Sequence, residues 1–280
     1  MFNNILLTVV VYNKVFTDIN IVSAILYNET NIDVFIYDNS DDEVFISKNK
    51  ENSSLVHYVH DKSNPGVSTA YNKAFQYAKE NNKTAVLLLD QDTYFDHDWL
   101  SCYINKYNEY GEGYIYAPII TDADAKKVYS PSYMKSFIGK VSSTHDFNYC
   151  ETYSLVDKSV INSGLLIPLH IFDRVGSYNE RIKLDFSDIY FIEKYKEINK
   201  NIILIDLYMK HSLSGDEGAN FIAEMKRFPY YCNGAVELST SLNKSTLLTI
   251  LRRTARLVIK YRSIIPFLLF YKYYIKRDEL

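Results

Sequence analysis

A chain of 280 residues and 32.6 kDa has the size of one large domain or a domain with an appendage, because single cores stop growing at roughly 250–300 residues. With 47% apolar and 23% charged residues, it is not a disordered chain, which would be poorer in apolar residues and richer in net charge. The net charge of −3 hides an asymmetry: eight cationic side chains and no acid lie between Arg252 and Arg277, so an acidic body carries a basic tail and an anionic partner is expected.

Cys102, Cys150 and Cys232 are odd in number and far apart, which excludes a CxxC metal knuckle and a disulfide framework and fits a reducing compartment. The opening residues lack the basic start and small-residue cleavage site of a secretory signal. No run of about 18 apolar residues occurs. The chain is therefore expected to be neither secreted nor membrane-spanning.

In chain order, Ile5–Val11 reads as a buried strand, Thr17–Tyr27 as a helix, Val34–Tyr37 as a strand and Leu55–Val59 as a weaker one. Asn64-Pro65-Gly66 opens a helix in which Ala70, Ala74 and Ala78 recur every fourth residue, and Ala85–Leu89 is the fourth strand. Continuous apolar runs imply strands covered on both faces, and strand-helix-strand succession implies parallel crossovers, so the first ~95 residues should be doubly wound.

Residues 111–167 are rich in tyrosine and turn formers, with short strand candidates at Tyr114–Tyr116 and Ser163–Ile167, and read as mixed α+β structure. A helix at Ser187–Lys200, a strand at Ile202–Ile205 and a polar loop from His211 to Gly218 follow. A second organisation is expected to begin near Ala219, dividing the chain into 1–218 and 219–280. There Leu247, Leu248, Leu251, Ala255, Val258 and Ile259 sit at helical spacing with arginines between them, an amphipathic basic helix that Pro266 should break.

Ligands of open parallel sheets bind beyond the carboxyl ends of the strands. Here those ends carry Tyr12-Asn13, Asp38-Asn39-Ser40 and Asp90-Gln91-Asp92-Thr93. On an extended segment Asp90 and Asp92 point to one side, so both carboxylates can face a hard cation such as Mg2+ or Mn2+, whose remaining positions would go to water and a diphosphate. No GxGxxG follows the first strand and no GxxxxGK[ST] occurs, which disfavours a dehydrogenase or a P-loop enzyme.

The set VVVYNK, FIYDNSDD, NPGVSTAYNKAF, LLLDQDT, NSGLLIP, VGSYNE and HSLSGD, in this order and spacing over roughly residues 5–216, resembles the inverting glycosyltransferases of family 2, which have the GT-A fold. DQDT together with HSLSGD is most similar to the bacterial rhamnosyltransferase branch. The resemblance implies an α/β fold with a Rossmann-like nucleotide-binding half, a mixed-sheet acceptor half and a C-terminal helical appendage. It implies that Val10, Tyr12 and Asp38 hold the nucleotide base, that Asn39, Asn64, Gly66 and Asn72 lie beside the donor, and that Asp90, Gln91 and Asp92 form the DxD motif. Asp92 would bind the metal, Asp90 the ribose or metal-bound water, and His211 would complete the metal shell.

For the base, Asp185 and Asp188 are three apart and would share one face near a helix start, where the dipole favours anions. Aligning Lys194 with the basic residue of the family pattern puts Asp188 on the base. Tyr190 and Ser187 stand where the family usually has acids, so Asp185 remains a rival, and helix-capping acids without chemistry are the structural alternative.

The expected function is transfer of a deoxyhexose, rhamnose from a dTDP-sugar, onto a glycan or lipid-linked glycan acceptor of a growing bacterial surface polysaccharide. A UDP-hexose donor is the alternative within the class, and a catalytically silent glycan-binding or scaffold module the alternative outside it. The basic tail suits an anionic membrane interface at the cytoplasmic leaflet, giving a peripheral cytoplasmic enzyme, or else an ordinary helix with a solvated basic face. No recognition motif accompanies the charge, so nucleic acid is not the expected partner.

Overall fold

The computed structural model describes residues 4–27, 32–95, 98–122, 127–135, 138–142, 152–211 and 220–278. The chain opens with β1 (Ile5–Val11), a single 3-10 turn and α1 (Asn20–Tyr27), then β2 (Asp33–Asp38), α2 (Glu43–Glu51), β3 (His57–His60), α3 (Val67–Glu80) and β4 (Ala85–Asp90). There follow β5 (Thr93–Phe95), α4 (Trp99–Tyr110), β6 (Tyr116–Thr121), β7 (Val128–Lys135), β8 (Ile138–Ser142), β9 (Thr152–Ser154), β10 (Lys158–Ser159) and β11 (Leu166–Pro168). The remainder is α5 (Leu169–Val175), α6 (Ser187–Tyr195), β12 (Asn201–His211), α7 (Phe221–Leu242), α8 (Leu247–Tyr261) and α9 (Ile265–Phe270).

The doubly wound expectation holds. β3, β2, β1 and β4 lie side by side and parallel. Their residues alternate between two cores, and that is why the sequence shows unbroken apolar runs: Val86 and Leu88 of β4 pack with α3, α5 and α6, whereas Leu87 and Leu89 pack with α1 and α4. The register brings Val10 opposite both Tyr37 and Asp90, and Val11 opposite Asp38, so the polar strand ends share one rim.

Beyond β4 the sheet turns mixed. β11 runs antiparallel to β4 and β6, and β12 runs parallel to β6, shifts register between Leu204 and Tyr208, and reaches β5, where the His211 backbone pairs with Thr93. This long strand carries the chain back to the DQD turn.

Several elements depart from expectation. The third strand starts two residues late, because Ser53–Leu55 forms a 3-10 turn. α2, α4 and α5 are additional: α2 starts where the Asp42 side chain accepts from the Val44 N–H, a cap with only a weakly apolar face behind it. The helix at Ser187 ends at Tyr195, and the following strand continues to His211. α7 includes Pro229 in its interior. α8 ends at Tyr261, where Arg262 adopts left-handed φ of 48°, and Pro266 lies in the first turn of α9 instead of breaking α8, a position that does not require its missing N–H.

The C-terminal helices have their own core. Phe228, Cys232, Ala235, Leu238, Ile250, Leu257 and Phe270 close around Ile182 and Phe186, and the latter two belong to the loop just before α6. The appendage is thus packed directly on the segment that carries Asp185 and Asp188. Cys102 and Cys232 are free thiols; Cys150 lies outside the described residues.

Candidate active site

A cleft of about 670 Å³ opens at the carboxyl ends of the parallel strands. Its first wall consists of Val10, Tyr12, Asn39, Asn64, Gly66, Asp90, Gln91 and Asp92, all of which the sequence had singled out. Hydrogen bonds lace these strand ends together. The Tyr12 backbone N–H donates to Gln91 Oε1 (2.9 Å), and Lys14 Nζ donates to the Gln91 carbonyl (2.8 Å). Asn13, at φ 48°, donates its N–H to Ser40 Oγ and its amide to Asp41. The Asp90 N–H donates to Thr93 Oγ1, which shares a hydrogen bond with Ser163, so the DQD turn is held from below.

Asp38 and Asn39 diverge in a way sequence does not show. The Asp38 carboxylate is fully buried and accepts from the Ser40 N–H (2.8 Å), Asn49 Nδ2 (2.8 Å) and the Tyr58 hydroxyl (2.7 Å). It does not line the cleft and acts within the protein as the bracket of the strand end. Asn39 is only 3% exposed and does line the cleft, and its buried Oδ1 has no partner among the described residues. A buried amide oxygen left unpaired is costly, and a ligand N–H or O–H would satisfy it. Asn72 also lies away from the cleft: its amide bonds both the carbonyl and the N–H of Tyr178 as well as Glu180.

Lys183, Leu184, Asp185, Phe186, Ser187 and Asp188 form the second wall, with Asn162 and Ser163 between the walls and Arg227, Tyr230 and Tyr231 of α7 above it. Asp185 precedes α6, which starts at Ser187, so the two acids do not share a helical face as the spacing suggested. Asp185 is engaged by Arg227, whose Nε and terminal nitrogen lie 3.1 and 2.8 Å from the two carboxylate oxygens. Asp188 sits in the first turn of α6. Enclosure by protein, with smaller contributions from Asp185 and Asp90, pushes its carboxyl up to about 6, although the Ile189 N–H bonded to Oδ1 at 2.7 Å pulls the other way. A carboxylate with that poise exchanges protons near neutral pH.

Asp90 and Asp92 both line the cleft and offer the hard oxygen donors that suit Mg2+ or Mn2+. Among the described residues no group of three or more His, Cys, Asp or Glu side chains is placed to hold a metal. The His211 backbone is brought to the DQD turn; its side chain and the rest of the HSLSGD loop lie outside the described residues.

Arg227, Tyr230, Tyr231 and Lys183 were not anticipated. The sequence signal, an arginine and two tyrosines on one helix beyond the supposed domain boundary, cannot be tied to the cleft without knowing how α7 packs.

The model of the family described as glycosyl transferase family 2 matches residues 8–165, more than half of the chain. The chain belongs to glycosyltransferase family 2. The matched span holds the strand ends and the DQD turn of this glycosyltransferase, whereas Asp185, Asp188 and His211 lie beyond it. No curated protein matches significantly. Among solved structures, S. aureus TarS is similar with TM-score 0.51 and 11% identity over 85% of this chain and 49% of that one. TarS 1-349 in complex with UDP-GlcNAc gives 0.52 and 14% over 84% and 66%, and its complex with UDP 0.51 and 14% over 84% and 65%. At these identities the likeness establishes the fold, a mixed α/β sheet of GT-A type, and the glycosyltransferase spans about half the length of the first TarS chain.

Proposed function

We propose that this family 2 glycosyltransferase carries out an inverting transfer from a nucleoside-diphosphate sugar, dTDP-rhamnose by preference, to a hydroxyl of a bacterial surface polysaccharide or lipid-linked oligosaccharide. The observation that carries this reading is the meeting, in one cleft, of the DQD turn with Asp188, a half-buried carboxylate that the surrounding protein pushes up to about 6. Asp188 takes the proton of the acceptor hydroxyl as that oxygen bonds to the anomeric carbon. The nucleoside diphosphate leaves from the opposite side, and a single displacement inverts the centre. Asp90 and Asp92 would hold the Mg2+ or Mn2+, which supplies charge neutralisation to the departing diphosphate. Asn39 offers its unpaired amide to the nucleotide, and Tyr12, 45% exposed at the mouth, offers a stacking face. Asp185, already paired with Arg227, is the weaker candidate for the base.

The rhamnose preference rests on the DQDT and HSLSGD resemblance. The UDP-GlcNAc bound by TarS keeps a UDP-hexose as the competing donor. A thermal-shift panel of dTDP-, UDP- and GDP-sugars, each with Mn2+ and with chelator, tests this, since a ligand that binds only the native state stabilises it. A metal-dependent rise with one dTDP-sugar, followed by transfer, is expected. A rise only with UDP-sugars replaces the donor, a rise without any turnover revives the silent module, and no rise with any sugar removes the donor site.

The surface of α8 and α9 favours an anionic membrane as the place of action, at the cytoplasmic leaflet. Leu248, Leu251, Ile259, Ile264, Phe267 and Leu268 are exposed beside Arg252, Arg256, Arg262, Lys272, Lys276 and Arg277. Arg253 turns inward to buried Glu224, whereas Lys260, 3.5 Å from the same carboxylate, stays exposed. Among the described residues no helix is long and apolar enough to cross a membrane, so the binding would be interfacial. Flotation with vesicles should depend on their anionic lipid content; flotation independent of it rejects this part of the proposal.

A further inference from the structure

The backbone around Asp188 is held in an unusual way. On one side α3 grips it: the Val67 N–H donates to the Lys183 carbonyl (2.7 Å), Ser68 Oγ donates to the Ile182 carbonyl (2.6 Å), and a Cβ on Gly66 would lie 2.1 Å from the Lys183 oxygen. On the other side α7 presses close enough that a Cβ on Gly234 would lie 2.7 Å from the Asp185 carbonyl oxygen. Between these grips Phe186 is forced to φ +75°, a conformation that a bulky L-residue adopts only when its surroundings impose it. Its ring is held against Tyr231, with centroids 4.7 Å apart. Ser187 and Asp188 follow at once, so the torsions imposed at Phe186 set where the Asp188 carboxylate points.

One charged contact in this clamp opens into the cleft, the two-pronged pair of Arg227 with Asp185. A partly exposed ion pair contributes little to stability, whereas a planar guanidinium meeting a carboxylate through two nitrogens fixes orientation. Resting on the reading of Asp188 as the base, we propose that Arg227 is a positioning residue of the transfer reaction: by orienting Asp185 it fixes the turn at Phe186 and places Asp188 against the donor-holding strand ends. The C-terminal helix α7 is on this account part of the catalytic apparatus and not only an appendage.

The groups that face Asp188 make the role measurable. They are Asp185 from the preceding turn, Asp90 from the end of β4, the Tyr71 phenol of α3 and the Tyr178 phenol. Arg227 acts one step removed by neutralising Asp185, and Asp92, Lys183 and Tyr231 share the cleft. Removing Arg227 leaves Asp185 uncompensated and makes Asp188 harder to ionise; removing the Asp185 charge makes it easier.

The experiment uses the full chain with Arg227→Gln, Arg227→Lys and Asp185→Asn, reading kcat and donor KM across pH together with Tm. Arg227→Gln should lower kcat at least about tenfold, in line with the cost of a small misplacement, with donor KM within about twofold. The acid limb of kcat should move to higher pH in Arg227→Gln and to lower pH in Asp185→Asn. Those limb shifts follow from the charges alone, so the plateau of kcat above the acid limb decides: a wild-type plateau in Arg227→Gln overturns the proposal. If Arg227→Gln does not fold, Arg227→Lys decides: reduced kcat at unchanged Tm is expected, because an ammonium cannot reproduce the two-pronged contact, and full kcat rejects the idea. Normal turnover in Asp188→Asn would remove the base and this proposal together, whereas an inactive Asp188→Asn beside a fully active Arg227→Gln would remove this proposal alone.

Discussion

The two walls of the cleft are made by different means. The strand-end wall is set strand by strand: Tyr12, Asn39 and the DQD turn each follow an apolar strand, and parallel pairing brings their short loops together, where Gln91, Asn13 and Ser40 tie them. The wall bearing Asp188 is assembled at long range, from α3 gripping a segment more than 100 residues away and from α7 closing over it. Substitutions should therefore separate cleanly. Those in the first wall should alter donor affinity at nearly constant stability, and those in the second should alter turnover, or stability where they break the grip.

The sharpest break of this comparison is Asp188→Asn. Loss of a general base should reduce transfer by about 10²–10⁴ while the donor-induced thermal shift persists. The wild-type kcat should fall as pH drops through about 6, because the proton then occupies the base. Stability should move in the opposite sense. The folded carboxyl titrates higher than the ordinary 3.8, so the native state binds more protons and the contribution of this group to stability falls as pH rises from about 4 to 6. The neutral amide should accordingly raise Tm at pH 7, by an amount worth at most about 3 kcal/mol, and the advantage should vanish near pH 4. A variant that turns over normally, or that is destabilised at pH 7, would sink the assignment.

Next in size is the grip between the walls. Gly66→Ala places a Cβ 2.1 Å from the Lys183 carbonyl at φ +98°, where backbone must move, and should cost about 2–4 kcal/mol in urea unfolding. Gly176→Ala supplies the control: its φ is +92°, but nothing lies within 4 Å, so only the conformational penalty, about 1 kcal/mol, applies. Equal losses at the two sites would show that the contact with Lys183 is not what holds the second wall.

This asymmetry also explains what could be read from sequence. β1, β2, β4 and α3 were legible because apolar runs and four-residue alanine spacing directly encode burial, and the rim residues followed from their position after strands. α2 was missed because its face is weakly apolar, and α7 could not be connected to the cleft because Arg227 reaches Asp185 across 42 positions. The spacing of Asp185 and Asp188 predicts one helical face, but the left-handed turn at Phe186 separates them. No periodicity announces a turn imposed by distant packing.

The smallest effect distinguishes two neighbours that sequence treats alike. Asn39 carries a buried amide oxygen with no partner among the described residues and lines the cleft; Asp38 is saturated by Ser40, Asn49 and Tyr58 and does not line it. Asn39→Ala should raise the donor Kd by about tenfold, the worth of one hydrogen bond to a buried group, and should leave Tm unchanged or slightly higher because an unsatisfied polar atom is removed. Tyr58→Phe should do the reverse, leaving the donor Kd alone while lowering stability by about 1 kcal/mol, since Asp38 loses one of its three bonds. If calorimetry instead finds donor binding tightened by Tyr58→Phe and untouched by Asn39→Ala, Asp38 is released from its bracket when donor binds, and the reading of the nucleotide passes from the amide to the carboxylate beside it.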